Sequence, residues 1–503
     1  MPTSANLTDA IFEHAAKQPK MVALEDMTGR LTYKQFAGLI GRASMWLRSL
    51  GVEPGQPVGV RLSNSADHLI LSLALMRVGA AKIEFAADAA GASFDAIVRQ
   101  LGVKLLFVEP PARAIGDIAC VSIDARWREG LSGYKGDFRY DGTEPEPSDI
   151  LMSSGSTGVP KGVPCTHSLT IRRLDSWNPT FLKARMTSDD FSGTFLHVSS
   201  MSFTGFIMPL LARLYTGGKV VILPEFAKLL DFVRAIRAHD EAFLIVTPGM
   251  CQELLSCAPE EGLLFPNLRG MVCTGTPLAA GIKQQALRSL TPHFTEIYGN
   301  SGVGVMTALF PEDLAGHADT VGRIVSGLTA EIVDDEDLPV GPGIPGNLRC
   351  RGSSVVEALV GGDPEMRGSE GIRDGWYYPG DVAQIDADGY VRLLVRSSDV
   401  TMRAGVRIFP SVIETALMSH PGVQEVAVVI LPHGSTVQVV AAVMPRGDGD
   451  AEALYRHCVD TIGAQQSPDS IMIMASLPRT GGGKIDRAKV RQHAARALAR
   501  TLR

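Results

Sequence analysis

The stretch SSGSTGVPKGV, residues 153–163, places glycines and hydroxyl side chains around one lysine. Glycines let a backbone turn several N–H groups toward one point, which makes a concave site for an anion. A proline before the lysine and a glycine after it exclude the P-loop pattern G-x-x-x-x-G-K-[ST]. The stretch predicts a phosphate-binding loop, with a flexible surface turn as the alternative. The residues of this loop that we expect to contact phosphate are Ser153, Ser154, Gly155, Ser156, Thr157, Gly158 and Lys161.

The loop resembles the phosphate-loop signature of the AMP-forming adenylating enzymes, which include acyl-CoA synthetases, the adenylation domains of peptide synthetases and luciferases. Further segments resemble the family's other motifs in the family's order, so the resemblance covers nearly the whole chain. These segments are FLHVSSMSFTGF (195–206), CTGTPLA (273–279), YGNSGVG (298–304), WYYPGDVAQID (376–386), VRSSDVTMRAGVRIFPSVIE (395–414) and LPRTGGGKIDR (477–487).

The resemblance implies a nucleotide site. Tyr298 matches the aromatic residue that stacks on adenine, and Ser301 keeps a hydroxyl for the α-phosphate. Asp381 matches the carboxylate that holds the ribose hydroxyls, where two charge-assisted hydrogen bonds make a good clamp. A Gly-Asp turn between strands is the alternative for Asp381, and Arg396 would reach the ribose and phosphate. The remaining expected nucleotide contacts are Gly275, Thr276, Pro277, Gly299 and Asn300.

The resemblance also implies a pocket for a carboxylic acid. His197 occupies the place where many acyl-CoA-forming members have a histidine or another ring, and a buried core histidine is the alternative. Peptide-synthetase domains usually carry an aspartate in this segment, whereas Asp190 lies before it, so a free α-amino acid is disfavoured. We expect a modest organic acid, aromatic or short-chain. The expected pocket residues are His197, Ser199, Phe203, Gly205, Val246, Gly302 and Met306.

Gly302 is the main departure from the family pattern Tyr-Gly-x-Thr-Glu, because the glutamate that helps to hold Mg²⁺ is missing. Three readings stay open: ATP phosphates, water and hydroxyls hold Mg²⁺; another carboxylate substitutes; or the first half-reaction is weak. Mg²⁺ keeps several waters and relies on substrate phosphates, which favours the first reading. A further hypothesis is that Gly302 enlarges the acid pocket.

The last glycine run, GGGK, resembles the C-terminal lysine motif, and Lys484 is its match. An anionic carboxylate must attack an anionic α-phosphate, so the site needs positive charge where charge builds in the transition state. The expected catalytic residues are Lys484, Ser301 and Lys161. In the family the small domain then rotates to admit a thiol. Ser398 stands at the hinge position, while Arg403 alters the loop expected to contact coenzyme A.

Alternating helix and strand patterns predict an α/β fold. Helical spacing predicts a helix over 32–50, with Phe36, Ile40, Ala43, Leu47 and Leu50 on one face. Layered α/β subdomains and a small antiparallel β unit after residue 330 would form a large N-terminal domain, 1–397. A small α+β C-terminal domain, 398–503, carries Lys484 and is mobile by resemblance. The acidic, proline-rich segment 140–149 reads as an exposed linker.

Composition restricts the partners. The formal net charge of −6 disfavours a general nucleic-acid binder. The seven cysteines form no C-x-x-C pair, which fits reduced thiols in a cytoplasm. We expect no signal peptide and no integral membrane segment. The expected reaction is acid, ATP and CoA, with Mg²⁺, to acyl-CoA. A carrier-protein phosphopantetheine as acceptor, a metal-impaired acyl-AMP-binding homologue and a homodimer stay open.

Overall fold

The computed structural model describes most of the chain: residues 6–112, 115–141, 146–153, 161–183, 193–224, 228–239, 241–359, 370–397, 401–403, 406–433, 436–479 and 485–501. These residues divide into two compact units. Unit 1 holds 1–330, 349–379 and 389–391, and unit 2 holds 331–348, 380–388 and 392–503. Unit 2 thus includes three stretches of the predicted N-terminal domain, 331–348, 380–388 and 392–397. The domain division at 397/398 stays a prediction.

The strands up to residue 324 all belong to unit 1. They are β1 Val22–Asp26, β2 Gly29–Thr32, β3 Pro57–Arg61, β4 Ala81–Glu84, β5 Leu105–Val108, β6 Ala119–Ser122, β7 Asp149–Ser153, β8 Lys161–Cys165, β9 Thr194–His197, β10 Lys219–Ile222, β11 Ala242–Val246, β12 Gly270–Cys273, β13 Phe294–Asn300, β14 Gly304–Leu309 and β15 Arg323–Ile324.

The helices of the same region are α1 Asp9–Lys17, α2 Tyr33–Ser49, α3 Ala66–Arg77, α4 Ala92–Gln100, α5 Trp127–Gly130, α6 His167–Lys183, α7 Thr204–Tyr215, α8 Leu229–Arg237, α9 Pro248–Leu255, α10 Ala280–Ser289 and α11 Leu314–His317. Helix α2 confirms the predicted helix. Thr32 caps it, accepting from the Gln35 N–H at 3.3 Å while Gln35 Oε1 accepts from the Thr32 N–H at 2.9 Å. The prediction that Leu50 shares one helix face with the other four residues is wrong, because the helix ends at Ser49 and Leu50 is exposed.

Two sheets organise unit 1. One has the order β15-β14-β13-β12-β11-β9-β10-β1-β2, and the other β6-β5-β3-β4-β7-β8. Strands β9 to β13 and β1 run parallel in the first sheet, so β9, β11, β12 and β13 end at one edge. Carboxyl ends of parallel strands are where open α/β sheets place ligands. The segments expected to contact nucleotide and acid follow these strand ends.

The rest of the chain holds the predicted β unit and the α+β region. Its elements are β16 Leu328–Val333, β17 Gly346–Gly352, β18 Gly371–Arg373, β19 Trp376–Tyr378, β20 Asp381–Ile385, β21 Val391–Arg396, β22 Thr401–Arg403, β23 Val406–Ile408, α12 Pro410–Met418, β24 Val423–His433, β25 Thr436–Pro445, α13 Ala451–Ile462, β26 Ser470–Ile473 and α14 Arg487–Thr501. In unit 2, β24, β25 and β26 form one sheet. Helix α14 buries Val490 and Ala494 in a cluster with residues of β24 and β25.

The expected linker 140–149 is wrong at its end. Ser148 and Asp149 are 1% and 3% exposed, and Asp149 begins β7. Strand β7 pairs antiparallel with β8, with Asp149 opposite Cys165. The acidic and proline-rich composition predicted solvent exposure, but the carboxylate of Asp149 is buried against the ammonium of Lys82 at 3.2 Å.

His167 ties the first described residues to the core of unit 1. Its Nδ1 accepts from the Leu7 N–H at 3.2 Å, and its Nε2 lies 2.9 Å from the Met76 carbonyl oxygen, so the ring is a neutral donor and acceptor. Burial lowers the pKa of His167 to about 4 from its usual 6.5. The unfolded chain therefore binds one more proton between these pH values.

We expect His167 to make the protein less stable as pH falls. The contribution of the neutral ring to the free energy of unfolding is complete above pH 6.5 and is lost as pH falls toward about 4. The loss is about 2 kcal/mol at pH 5. Denaturant unfolding of wild type and His167→Gln at pH 7 and pH 5 measures this, and the variant should lose less stability between the two. His197, with a pKa lowered to about 3, titrates over the same pH range. The variant therefore keeps part of the pH dependence of stability. Equal losses in the two proteins would contradict the assignment.

Candidate active site

The turn after β13 presents Ser301. The Asn300 side-chain oxygen accepts from the N–H groups of Gly302 at 3.0 Å and Val303 at 3.2 Å, which closes the turn. Ser301 Oγ donates to the Met152 carbonyl oxygen at 3.2 Å and lies 3.3 Å from the Thr204 hydroxyl. Ser301 is 8% exposed. A serine hydroxyl, a threonine hydroxyl and the backbone of β7 therefore meet at this point.

Arg173 stabilises this turn by donating hydrogen bonds to its backbone carbonyl groups. The sequence analysis did not predict this residue. Its guanidinium is fully buried and donates to the carbonyl oxygens of Ser301 at 3.0 Å, Gly302 at 2.9 Å and Ser354 at 2.8 Å. A planar fork of donors suits this task, because it fixes several acceptors at once. Arg173 is thus a positioning residue. An arginine among apolar residues of a helix was the available signal.

Tyr377 fills the space beside Gly302. A Cβ at Gly302 would overlap both the hydroxyl and the ring of this fully buried tyrosine. The Tyr377 hydroxyl donates to Glu370 Oε1 at 2.6 Å and also bonds with the Asn300 side chain. Burial, reinforced by the Glu370 charge, raises the pKa of Tyr377 well above its usual value. The hypothesis that Gly302 enlarges the acid pocket is therefore wrong.

The residues at this position do not fit a protein-bound Mg²⁺. Gly302 offers no carboxylate, and the nearby Glu370 carboxylate accepts a hydrogen bond from Tyr377. Within the described ranges, no group of three or more histidine, cysteine, aspartate or glutamate residues is arranged to hold a metal ion. The hard oxygen ligands that Mg²⁺ prefers are thus not assembled here.

Phe203, Gly205 and the loop after β12 lie together. A Cβ at Gly205 would lie 3.1 Å from the Phe203 ring and 3.3 Å from Thr274, and one at Gly275 would lie 3.7 Å from the same ring. Gly275, Thr276 and Pro277 are exposed, and Phe203 is 40% exposed. The structure therefore brings part of the expected acid pocket beside part of the segment that is expected to contact the nucleotide.

Other expected pocket residues lie deeper. His197 ends β9 and is fully buried, and burial and the charge of nearby His68 lower its pKa to about 3, so the ring is neutral. Val246 ends β11 and Met306 lies in β14, and both are also fully buried. Ser199 is half-buried, and its carbonyl oxygen accepts from Asn64 at 2.6 Å. Their pocket roles stay predictions.

Tyr298 and Gly299 lie in β13, where Tyr298 is half-buried and pairs with Thr307 of β14. A side chain at Gly299 would overlap the Gly304 carbonyl oxygen, so the hairpin requires glycine here. The ring of Tyr298 therefore stands at the strand end that also carries Ser301.

In unit 2, Asp381 and Arg396 form an ion pair. Arg396 Nε lies 3.2 Å from Asp381 Oδ1, the Asp381 side chain is 9% exposed and that of Arg396 is 44% exposed. Asp381 begins β20 and Arg396 ends β21. Arg403 is anchored in the same unit, donating to Asp469 at 2.8 Å and to the carbonyl oxygens of Gln465 at 2.6 Å and Ser467 at 2.8 Å.

Some of the expected site residues belong to parts of the chain that the structure does not describe. Lys484, Ser398 and the loop residues Ser154, Gly155, Ser156, Thr157 and Gly158 lie outside the described residues. Ser153 ends β7 and Lys161 begins β8, and these two residues pair across the antiparallel hairpin. The loop therefore connects two paired strands. None of the described helices is long and apolar enough to cross a membrane.

Comparison with protein-family models decides the family. The model described as AMP-binding enzyme matches residues 11–359, and that of the AMP-binding enzyme C-terminal domain matches 412–484. The chain belongs to the AMP-binding enzyme family. The sequence-based assignment to the AMP-forming adenylating enzymes is thereby confirmed.

Relatives of known name are distant. A long-chain-fatty-acid–CoA ligase of Escherichia coli O157:H7 is 26% identical over 371 residues, covering 72% of this chain and only 64% of the ligase. A feruloyl-CoA synthase of an Amycolatopsis species is 26% identical over 504 residues, covering 95% of this chain and 97% of the synthase. The ATP-bound crystal structure of MatB from Rhodopseudomonas palustris has a TM-score of 0.87 at 22% identity, covering 98% and 99% of the two chains. The predicted α/β fold is confirmed by this likeness.

Proposed function

We propose that this protein is an ATP-dependent acid–CoA ligase that forms an acyl-adenylate and then a thioester. The observation that carries the proposal is the turn at 300–303, closed by Asn300 and held by Arg173, which sets the Ser301 hydroxyl beside Thr204. Membership of the AMP-binding enzyme family and the CoA-ligase relatives support the same activity. The acid is proposed to be aromatic or short-chain.

In the first step a carboxylate oxygen of the acid attacks the α-phosphorus of ATP. A carboxylate–phosphorus bond forms, the bond to the bridging oxygen breaks, and pyrophosphate leaves. The hydroxyls of Ser301 and Thr204 would donate to α-phosphate oxygens, and Lys484 would neutralise the charge that builds between acid and phosphate. Lys161 and the 153–158 loop would grip the departing phosphates. Asp381 would accept hydrogen bonds from the ribose hydroxyls, oriented by Arg396.

In the second step the thiol of CoA attacks the carbonyl carbon of the acyl-adenylate, and AMP leaves with the bonding electron pair. The thiol proton is released. Lys484 would have to leave before the thiol enters, so a rotation near Ser398 would separate the two steps. We infer that Mg²⁺ reaches the protein with the ATP phosphates and water, since Gly302 supplies no ligand. Free CoA in a reducing cytoplasm is the proposed setting, and a homodimer remains a proposal.

Exchange of labelled pyrophosphate into ATP tests the first step. Purified protein with MgATP and a panel of aromatic and short-chain acids should incorporate label only when the right acid is present. Adding CoA should then consume free thiol and release AMP. No exchange with any acid would favour an acyl-AMP-binding homologue without catalysis. Exchange without CoA turnover would favour a carrier-protein acceptor, and a phosphopantetheine-loaded carrier would then replace CoA in the assay.

A further inference from the structure

A small cavity in unit 1 is lined by charged residues, methionines and hydroxyl side chains. It leaves about 10 Å³ for the centre of a water-sized molecule, which is room for about one water. Its lining includes Lys82, Glu84, Asp149, Met152, Met201 and Thr204. No charged residue of this lining belongs to the motifs that identify the nucleotide site.

The charged lining residues form a buried ion cluster. Lys82 Nζ lies 3.2 Å from Glu84 Oε1 and 3.2 Å from Asp149 Oδ2, and their side chains are 2%, 7% and 5% exposed. Glu84 also bonds to His68 Nε2 at 2.8 Å and accepts from the Ser72 hydroxyl at 2.5 Å. Every carboxylate oxygen of Glu84 is therefore satisfied. The ammonium of Lys82 is shared between two carboxylates.

Asp149 lacks one partner. Its Oδ1 is buried and has no hydrogen-bond partner, while Oδ2 contacts Lys82. Burial and the charge of Glu84 raise the pKa of Asp149, against the opposing effect of Lys82, whereas Lys82 and His68 outweigh burial at Glu84 and hold its pKa at about 2. An unsatisfied buried carboxylate oxygen is costly, because its hydration is lost without replacement. Asp149 thus combines a place in the cavity lining with a carboxylate oxygen that accepts no hydrogen bond.

Two other lining residues, Met152 and Thr204, contact Ser301. The Ser301 hydroxyl lies 3.2 Å from the Met152 carbonyl oxygen and 3.3 Å from the Thr204 hydroxyl. Asp149 therefore borders the same small cavity as two residues that contact Ser301.

We propose that this cavity is the distal end of the acid pocket, where Asp149 accepts a hydrogen bond from a hydroxyl or amino group that the acid carries opposite its carboxylate. The inference rests on the proposed function and names its substrate class: short acids with a distal donor. Met152 and Met201 have unbranched, adaptable side chains and must move to admit the acid. Lys82 holds Asp149 in place while the ligand satisfies Oδ1.

The test compares matched acids on wild type and on Asp149→Asn. The pairs are 4-hydroxybenzoate with benzoate and 6-hydroxyhexanoate with hexanoate, measured by kcat/KM for pyrophosphate exchange and by calorimetric binding. We expect wild type to prefer at least one hydroxylated acid by about tenfold or more, because a site built for a donor rejects the analogue that lacks it. In Asp149→Asn, Lys82 orients the amide oxygen toward itself, so the NH₂ group faces the cavity. The preference should disappear because KM for the hydroxylated acid rises, while KM for ATP stays unchanged.

Ser72→Ala is the matched control, since Ser72 bonds to the same cluster without lining the cavity. It should lower the melting temperature and leave the acid preference intact. If Asp149→Asn does not fold, the Lys82→Met/Asp149→Leu pair replaces the ions with apolar groups of similar size. This variant should prefer the unsubstituted acids. An unchanged preference in whichever variant folds, or equal binding of both acids to wild type, overturns the inference and leaves the cavity to water. Absence of exchange with selective calorimetric binding overturns the proposed ligase activity alone.

Discussion

Lys484→Ala is expected to lower acid-dependent pyrophosphate exchange by about two to three orders of magnitude. Removing one group aimed at developing transition-state charge costs about that much in other acyl-transfer sites. The first half-reaction brings two anions together, so a lysine that neutralises both should act mainly on the rate. We expect kcat to fall while KM for ATP changes little. Initial rates of exchange at saturating acid and ATP measure this.

Lys489→Ala is the matched control for Lys484→Ala. Lys489 lies in α14, in the same C-terminal region, with a side chain that is 60% exposed and 3.4 Å from Asp486. An exposed pair of this kind contributes little, so exchange should stay near wild type. If Lys484→Ala retained wild-type exchange, the mechanism proposed for the first step would be wrong. A loss restricted to thioester formation would instead assign Lys484 to the second step.

Local patterns in the sequence predicted the elements well. The period of apolar residues placed the start of α2 within one residue of its observed start. The strands that end near the site were indicated by short apolar runs. The prediction for Leu50 was wrong because the period of apolar residues does not mark where a helix ends. The predicted exposure of Asp149 was wrong. Nearby proline and acidic residues indicate exposure, whereas the burial of Asp149 depends on Lys82, which is remote in sequence.

Residues of the candidate site that belong to a sequence motif could be predicted. Residues that act there through packing contacts could not. Tyr298, Ser301 and Asp381 could be predicted because each lies in a recognisable segment, and their roles stay predictions. Arg173 acts through three backbone carbonyl groups from two separate segments, and no spacing rule connects them. Tyr377 lies within a motif, but its contact with Gly302 could be found only in three dimensions. The absence of the glutamate could be read from the sequence. That Tyr377 fills the corresponding space could not.

Gly302→Glu is expected to destabilise the protein and to abolish most exchange, although it restores the family's residue. The first atom of the new side chain already overlaps Tyr377, which is fully buried and bonded to Glu370 and Asn300. Overpacking of this kind costs about 1–3 kcal/mol, and displacing Tyr377 also disturbs the Asn300 turn that presents Ser301. Gly302→Ala should show the same effect in weaker form. Urea unfolding and exchange at graded Mg²⁺ concentrations measure stability and metal dependence.

A double-mutant cycle with Tyr377→Ala separates the clash from the lost chemistry. Tyr377→Ala alone should cost about 3–5 kcal/mol, because a large buried ring leaves a cavity. Glutamate at 302 would partly fill that cavity, so the Tyr377→Ala/Gly302→Glu protein should be more stable than the two single effects predict in sum. Additive losses would mean that Tyr377 does not occupy the glutamate's space. If the double variant also needs less Mg²⁺ for half-maximal exchange than Tyr377→Ala, then Tyr377 excludes a metal-holding carboxylate, and the present protein relies on the phosphates of ATP to carry the ion.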